Sequence, residues 1–240
     1  MRAAVLGMPV AHSLSPAIWR AAFGATGLEW TYDAVELAEP DLPGWLRAAA
    51  ADPAWRCVSV TMPLKHAAYL AVDECRAPLE AVNTVLFEGG RTIGHNTDVA
   101  GIVGAVAEID VAPRRVAVLG TGGTAKAAVA ACAVWEAEPV LVGRDDWHRA
   151  ADLMAGADLV VNTTPAGAAD DLRWGGSALL DVLYAPWPTP LAAKAAAAGV
   201  PVAGGLAVLV HQAAEAFTLA TGLAAPVPAM RAAAGLTIRD

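Results

Sequence analysis

A chain of 240 residues suffices for one large domain or two modest ones, each with a buried core. Its 56% hydrophobic and 17% charged residues exclude a disordered chain, and no stretch approaches the ~18 consecutive apolar residues of a membrane span. A net charge of -8 gives no electrostatic reason to expect a nucleic-acid partner.

Taken in order, Arg2-Ala3-Ala4-Val5-Leu6-Gly7 reads as a short buried strand. Met1 to Val10 turns polar too early for a signal peptide. Ser15 before Pro16 has the chemistry of an N-cap, and Ala17 to Thr26 reads as a helix stopped by Gly27. Trp30 to Leu37 is a strand, Pro43 to Ala51 a helix, and Cys57 to Thr61 a β-branched strand ended by Pro63. This β-α-β-α-β succession implies a mainly parallel sheet. His66 to Val72 reads as helical and Leu79 to Asn83 as a turn or short strand. Thr84–Phe87 and Thr92–Asn96 flank Gly89-Gly90 as a hairpin. Val99 to Ile109 is then a helix connecting to a second unit.

That unit opens on the buried strand Arg115–Leu119, followed by a glycine loop, Gly120 to Ala125, and a helix from Lys126 to Ala137. Further strands are expected at Val140–Val142, Asp158–Asn162, Ala178–Val182 and Val200–Val202, with helical segments between most of them. Leu206 to Thr221 is a long terminal helix. The fold class is α/β, with two domains. Residues 1–99, completed by a C-terminal helical segment 206–240, form one domain, and residues 100–205 a Rossmann-type domain.

The loop Gly120-Thr121-Gly122-Gly123-Thr124-Ala125 follows a strand and opens a helix. The first glycine makes the tight turn, the second admits a pyrophosphate to the backbone, and the small Ala125 allows close helix packing. In this context the pattern predicts dinucleotide binding. The next strand ends Val142-Gly143-Arg144-Asp145-Asp146. Arg144 suits the 2′-phosphate of NADP. An aspartate turned into the pocket would repel it, which leaves NAD open.

Two features of the first unit carry charge at places where α/β ligands bind. Only three of the 16 basic residues are lysines, and one of them, Lys65, follows a strand end on a turn stiffened by Pro63. Asp98 sits where the two units join in the chain. Such a pair can relay a proton as a carbon gains or loses a hydride, although most lysines and aspartates are surface charges. Ser13, Ser15, Thr61, Asn83, Asn96 and Gln212 are short polar groups on loops or element ends. Each alone reads as a cap or turn residue, and together they match what a polyhydroxylated acid requires.

In combination these motifs resemble the shikimate dehydrogenase family over nearly the whole length. Ser13-Leu14-Ser15-Pro16 resembles S-x-S-P, and Val60-Thr61-Met62-Pro63-Leu64-Lys65 resembles V-T-x-P-x-K. Ala81-Val82-Asn83-Thr84 and His95-Asn96-Thr97-Asp98 resemble A-x-N-T and x-N-T-D. The glycine loop, Asn162-Thr163-Thr164-Pro165, Asp181-Val182-Leu183-Tyr184 and the segment from Gly205 through Gln212 complete the set. The resemblance implies NADPH-dependent, reversible reduction of 3-dehydroshikimate to shikimate, with Lys65 and Asp98 as the acid/base pair. It implies substrate contacts from Ser13, Ser15, Thr61, Asn83, Asn96, Tyr184 and Gln212. It implies cofactor contacts from Gly120 to Ala125, Arg144, Asn162, Thr163, Thr164, Val182 and Gly205.

Three departures stand out. Ser59 takes the place of a usual Asn. Gly143-Arg144-Asp145 replaces Asn-Arg-Thr/Ser, leaving His148 or Arg149 as the second basic residue and predicting weaker NADP binding. The short stretch from Arg144 to Asn162 predicts a trimmed helix–strand step. An NAD-dependent shikimate/quinate dehydrogenase and a non-catalytic ligand-binding paralogue are the alternatives. Five scattered histidines and the widely spaced Cys57, Cys75 and Cys132 suggest neither a metal site nor a disulfide framework. A reduced cytoplasmic enzyme, monomeric or homodimeric, with no membrane partner is expected.

Overall fold

The short apolar runs become the strands of two separate sheets in the computed structural model, which describes residues 1–236. The chain folds as one unit of Met1–Thr97 with the segment from Gln212 onward, and a second of Asp98–His211. The first unit contains β1 (Arg2–Gly7), α1 (Ser15–Thr26), β2 (Thr31–Glu36), α2 (Leu42–Ala51), β3 (Trp55–Val60), α3 (Lys65–Ala71), β4 (Glu74–Cys75), β5 (Thr84–Glu88) and β6 (Arg91–His95). The second contains α4 (Asp98–Ala107), β7 (Arg115–Leu119), α5 (Gly123–Val134), β8 (Glu138–Val142), α6 (Ala150–Ala155), β9 (Leu159–Asn162), β10 (Leu179–Asp181), α7 (Pro190–Ala197) and β11 (Val202–Gly204). Helix α8 (Gly205–Thr221) leads back to the first unit, followed by α9 (Val227–Ala233).

The first sheet has the order β2-β1-β3-β5-β6-β4. β1 is parallel to both β2 and β3, because each helical crossover returns the chain to the edge where it started. β5 runs antiparallel to β3 and to β6. The β5–β6 turn is the expected Gly89-Gly90 pair, with φ of 58° and 80°, the left-handed geometry that matches strand twist. β4 is an addition to the sequence reading: two residues carry no alternation to detect.

One face of this sheet packs Ala4, Leu6, Val58 and Val60 against Leu42 and Leu46 of α2. Tyr32 lies on the other face, stacked on Trp19 of α1 at 4.9 Å, and Phe217 of α8 lies 5.8 Å from Trp19. Truncating a ring in such a cluster costs roughly 3–5 kcal/mol. The terminal helix read at Leu206–Thr221 is α8, while the C-terminal helix assigned over 206–240 holds two helices among the described residues. Gly222 turns left-handed after α8, and Pro226 offers no amide to continue a helix. The last four residues of that segment lie outside the described residues.

The second sheet is wholly parallel, in the order β11-β10-β9-β7-β8. Ala117 and Leu119 of β7 face Met154 of α6 and Leu191 of α7. The alternate side chains of β7 face the other way, where α5 packs. Two of the boundaries that differ from the sequence reading bear on the ligand edge, and the shortened step after Arg144 agrees with it. Helix α5 begins at Gly123, not Lys126, so Gly123, Thr124 and Ala125 form its first turn. β11 starts at Val202, where pairing with Leu179 begins. The step between Arg144 and Asn162 is present, with its helix reduced to the six residues of α6 after a 3-10 turn at Trp147–Arg149.

Candidate functional site

In each sheet the chain leaves one strand for one side and returns on the other. The crevice left at the carboxyl ends of the two diverging strands is where α/β folds take ligands. In the first unit those strands are β1 and β3. Because β5 is antiparallel, its amino end lies at the same edge, with Ser59 beside Thr84. The carboxyl end of β6 lies there too, with His95 beside Thr84. Four separate stretches of sequence therefore meet along one edge.

After β1 comes the turn that carries Ser13 and Ser15. Ser15 does not cap α1: it is the first residue of the helix, with Leu14 before it. No side chain caps α1; Ser13 instead closes a turn just before it, its Oγ accepting the Ser15 amide at 3.3 Å. The Ser15 side chain, thus freed from capping, is buried. After β3, the Thr61 amide donates to the Leu6 carbonyl at 2.9 Å, holding the turn against β1. Gly7 is needed at that approach: a Cβ there would fall 2.4 Å from Thr61 Cγ2. The Met62–Pro63 bond is cis, and Lys65 opens α3. The Lys65 carbonyl accepts the Val82 amide at 2.9 Å, and the Asn83 carbonyl accepts the Val60 amide at 2.7 Å. These two bonds bring Lys65 and Asn83 to the same stretch of the edge.

Asn83 is the hub. Its Oδ1 accepts the Thr97 amide at 2.7 Å and the Thr84 hydroxyl at 3.2 Å. Its Nδ2 donates to Thr97 Oγ1 at 3.0 Å and to Gln212 Oε1 at 3.4 Å. Thr97 Oγ1 also donates to Gln212 Oε1 at 3.4 Å. Gln212, more than a hundred residues away, is thereby placed beside Asn83. Thr97 was not read as a site residue; its place inside the Asn-Thr-Asp motif was the available signal. Asn96 donates its amide to the Ala81 carbonyl at 2.8 Å, securing the strand of chain that carries Asn83. Asp98 follows Thr97 as the first residue of α4 and is buried. Ser59 sits just behind this edge, its Oγ bonded to the Tyr32 hydroxyl at 2.7 Å. His95 has its proton affinity lowered, first by burial and then by the charge of Arg76.

In the second unit the diverging strands are β7 and β9. Gly120 follows β7 with φ +109°, and a Cβ there would lie 2.6 Å from Thr163 Oγ1. Thr163 cannot easily yield, since that oxygen donates to the Leu119 carbonyl at 2.7 Å. Gly122 is exposed, with no atom within 4 Å of where a Cβ would stand. The helix that begins at Gly123 presents its first amides and dipole beside it. This open, side-chain-free approach to a helix amino end fits a dinucleotide pyrophosphate.

Asn162 Oδ1 accepts the Thr164 amide and hydroxyl, at 3.2 and 2.7 Å. The Asn162 carbonyl accepts the Val182 amide at 3.0 Å. A Cβ on Gly205 would fall 2.0 Å from the Val182 carbonyl oxygen, so only glycine fits there. Asn162, Thr163, Val182 and Gly205 thus converge at the ends of β9, β10 and β11. Arg144 and Asp145 are exposed just past β8, and His148 and Arg149 are exposed in the following turn. Tyr184 is exposed, three residues after β10. Asp181, missed from sequence as a structural anchor, accepts the Leu183 amide at 3.1 Å and the Thr189 hydroxyl at 2.7 Å. Among the described residues no group of three or more His, Cys, Asp or Glu is arranged to hold a metal ion.

Residues 5–85 match the shikimate dehydrogenase substrate binding domain, and residues 205–234 match the shikimate 5'-dehydrogenase C-terminal domain. The chain is 37% identical to the shikimate dehydrogenase (NADP(+)) of Citrifermentans bemidjiense, over 96% of this chain and 93% of that one. It is likewise 37% identical to that of Halobacterium salinarum, over 95% and 96%. Among solved structures, the Mycobacterium tuberculosis shikimate dehydrogenase superposes with a TM-score of 0.88 at 36% identity, covering 98% of both chains. The Thermus thermophilus shikimate 5-dehydrogenase in complex with NADP(H) and shikimate superposes with a TM-score of 0.87 at 34% identity, again over 98% of both.

Proposed function

The chain belongs to the shikimate dehydrogenase family, and from that premise we propose that it catalyses the reversible reduction of 3-dehydroshikimate to shikimate with NADPH, a step of aromatic amino-acid biosynthesis. The observation that carries this reading is the convergence of Ser13, Ser15, Thr61, Lys65 and Asn83 on the carboxyl edge of β1 and β3, with Gln212 hydrogen-bonded to Asn83.

Substrate binding belongs to residues 1–99 with 206–240, and cofactor binding to residues 100–205. Ser13 and Ser15 take the substrate carboxylate at the amino end of α1, where the helix dipole favours an anion. Thr61, Asn83 and Gln212 meet the ring hydroxyls with neutral donors and acceptors. Asn96 acts from the Ala81–Asn83 segment it secures, and Tyr184 contributes beside the nicotinamide. Gly120 to Ala125 take the pyrophosphate, Arg144 the 2′-phosphate, and Asn162, Thr163, Thr164, Val182 and Gly205 line the rest of the cofactor path.

The cofactor supplies the hydride when bound. What remains for the chain is a proton at the reacting oxygen. Lys65 and Asp98 form the pair that gives it in reduction and takes it in oxidation. No helix among the described residues is long and apolar enough to cross a membrane. The three unpaired cysteines suit a reducing compartment, and we place the enzyme in the cytoplasm as a monomer or homodimer.

Initial rates with shikimate and with quinate, each with NADP+ and NAD+, test the proposal. Shikimate with NADP+ is expected to give the highest kcat/KM. Quinate oxidation with NAD+ at the higher efficiency would favour the shikimate/quinate alternative, and no turnover in any combination would favour the binding-only paralogue.

A further inference from the structure

Asn83, Thr84, Thr97 and Gln212 are buried polar side chains that form the hub behind the first edge. An amide side chain in such a hub fits with its oxygen or its nitrogen either way round, and its neighbours decide which. Here one backbone group settles the choice. The Thr97 amide lies 2.7 Å from Asn83 Oδ1 and can only donate, so the oxygen of Asn83 must face it. The nitrogen of Asn83 then faces the other way, toward Thr97 Oγ1 at 3.0 Å and Gln212 at 3.4 Å. A side-chain amide nitrogen also only donates, so the atom Gln212 turns toward it must be Oε1.

The Thr97 hydroxyl completes this order. Its oxygen accepts from Asn83 Nδ2, and its single proton has Asn83 Oδ1 at 3.3 Å, Thr84 Oγ1 at 3.4 Å and Gln212 Oε1 at 3.4 Å within reach. Both lone pairs of Asn83 Oδ1 are already met, by the Thr97 amide and by the Thr84 hydroxyl at 3.2 Å. Of the other two acceptors, the amide oxygen carries more negative charge than the hydroxyl oxygen and takes the proton. Gln212 Oε1 is thus held by two donors, Asn83 Nδ2 and the Thr97 hydroxyl. Reversing the Gln212 amide would set its N–H groups against those of Asn83 in a buried place, which is costly. The end that Gln212 turns away from the hub is Nε2, a donor.

We propose that Thr97 is a positioning residue for the substrate: its backbone amide orients Asn83, its hydroxyl locks Gln212, and Gln212 therefore meets the substrate as a hydrogen-bond donor only. The proposal rests on the reading that Gln212 contacts the substrate ring. It narrows that reading, because the ring position facing Gln212 must offer an oxygen lone pair, as a hydroxyl does, and an ammonium group in its place would be refused.

The test is steady-state kinetics, with melting temperatures, on variants of Thr97 and Gln212. Thr97→Val keeps the shape and the backbone amide and removes the hydroxyl. It should raise KM for shikimate about fivefold to tenfold, with kcat within about twofold and KM for NADP+ in place. Thr97→Ser, which restores the hydroxyl, should return KM to within about twofold of wild type. On a Gln212→Ala background, which raises KM by itself, Thr97→Val should add about twofold at most. Gln212→Glu keeps an oxygen for the hub and loses the outward donor, so its KM should rise at least as far as in Gln212→Ala. The proposal alone would be overturned by wild-type KM in Thr97→Val, by a KM in Thr97→Ser as high as in Thr97→Val, or by full multiplication of the Thr97→Val and Gln212→Ala effects. Wild-type KM in Gln212→Glu would overturn it as well, and that variant decides the matter should Thr97→Val not fold. Wild-type KM in Gln212→Ala would instead remove the reading that Gln212 contacts the substrate, and the proposal with it.

Discussion

At the carboxyl edge of the first sheet the polar atoms belong to side chains: two serines, Thr61, Asn83 and, folded back from the chain's far end, Gln212. At the corresponding edge of the second sheet side chains are cleared away. Gly120 and Gly205 stand where a Cβ would strike Thr163 or the Val182 carbonyl, and Gly122 opens onto the first turn of α5. Under the proposed assignment the difference follows from the two ligands. A ring acid with several hydroxyls offers separate donors and acceptors, and each needs its own partner at a fixed distance. A pyrophosphate is a compact anion that asks for backbone amides at close range.

The largest effect should come from the charge the first edge adds to its neutral groups. Lys65→Ala is expected to lower kcat by about 10²–10⁴ while shikimate still binds, measured by single-turnover rates and equilibrium titration. Equal turnover in variant and wild type would take Lys65 out of the proton transfer. Next comes a challenge to the cleared edge. Gly120→Ala forces a side chain onto φ +109° and against the pinned Thr163 oxygen. A cost of about 1–3 kcal/mol is expected, together with loss of NADPH binding, followed by thermal melting and by nucleotide fluorescence. A variant that melts and binds like wild type would show that the backbone needs no such freedom.

The smallest effect is pH-dependent and again separates the edges, since His95 lies at the end of β6 in the first unit. Burial, then Arg76, holds its proton affinity below the ordinary 6.5. Its Nε2 is buried with no hydrogen-bond partner among the described residues. A histidine lowered in the fold stabilises the protein above about pH 6.5, and that contribution is lost as pH falls through the lowered value. Chemical denaturation from pH 7.5 to 5 should therefore show falling stability, with a shallower slope in His95→Gln. An identical slope would assign the acid sensitivity elsewhere.

How much of this was legible in the sequence also differs between the edges. The glycine loop is contiguous, so its strand–turn–helix context could be read directly, and only the first turn of α5 was misassigned to the loop. On the first edge the residues come from four distant stretches, and local chemistry alone gave caps and surface charges. Their meaning came from the order and spacing of the motifs. Ser15 was read as a cap because Ser-Pro is a strong local signal, and in the structure α1 begins at Ser15 with no side-chain cap. Tyr32 was not legible at all: its partner is 27 residues away on another strand, and strand register is what joins them.

The division between the two edges can be tested in one experiment, by measuring KM for shikimate and for NADP+ side by side in Asn83→Ala and Arg144→Ala. A crossed pattern is predicted. Asn83→Ala should raise KM for shikimate by about tenfold or more with little change for NADP+, and Arg144→Ala should do the reverse. If either variant shifted both constants equally, or each shifted the wrong one, the assignment of substrate to the first edge and cofactor to the second would be contradicted.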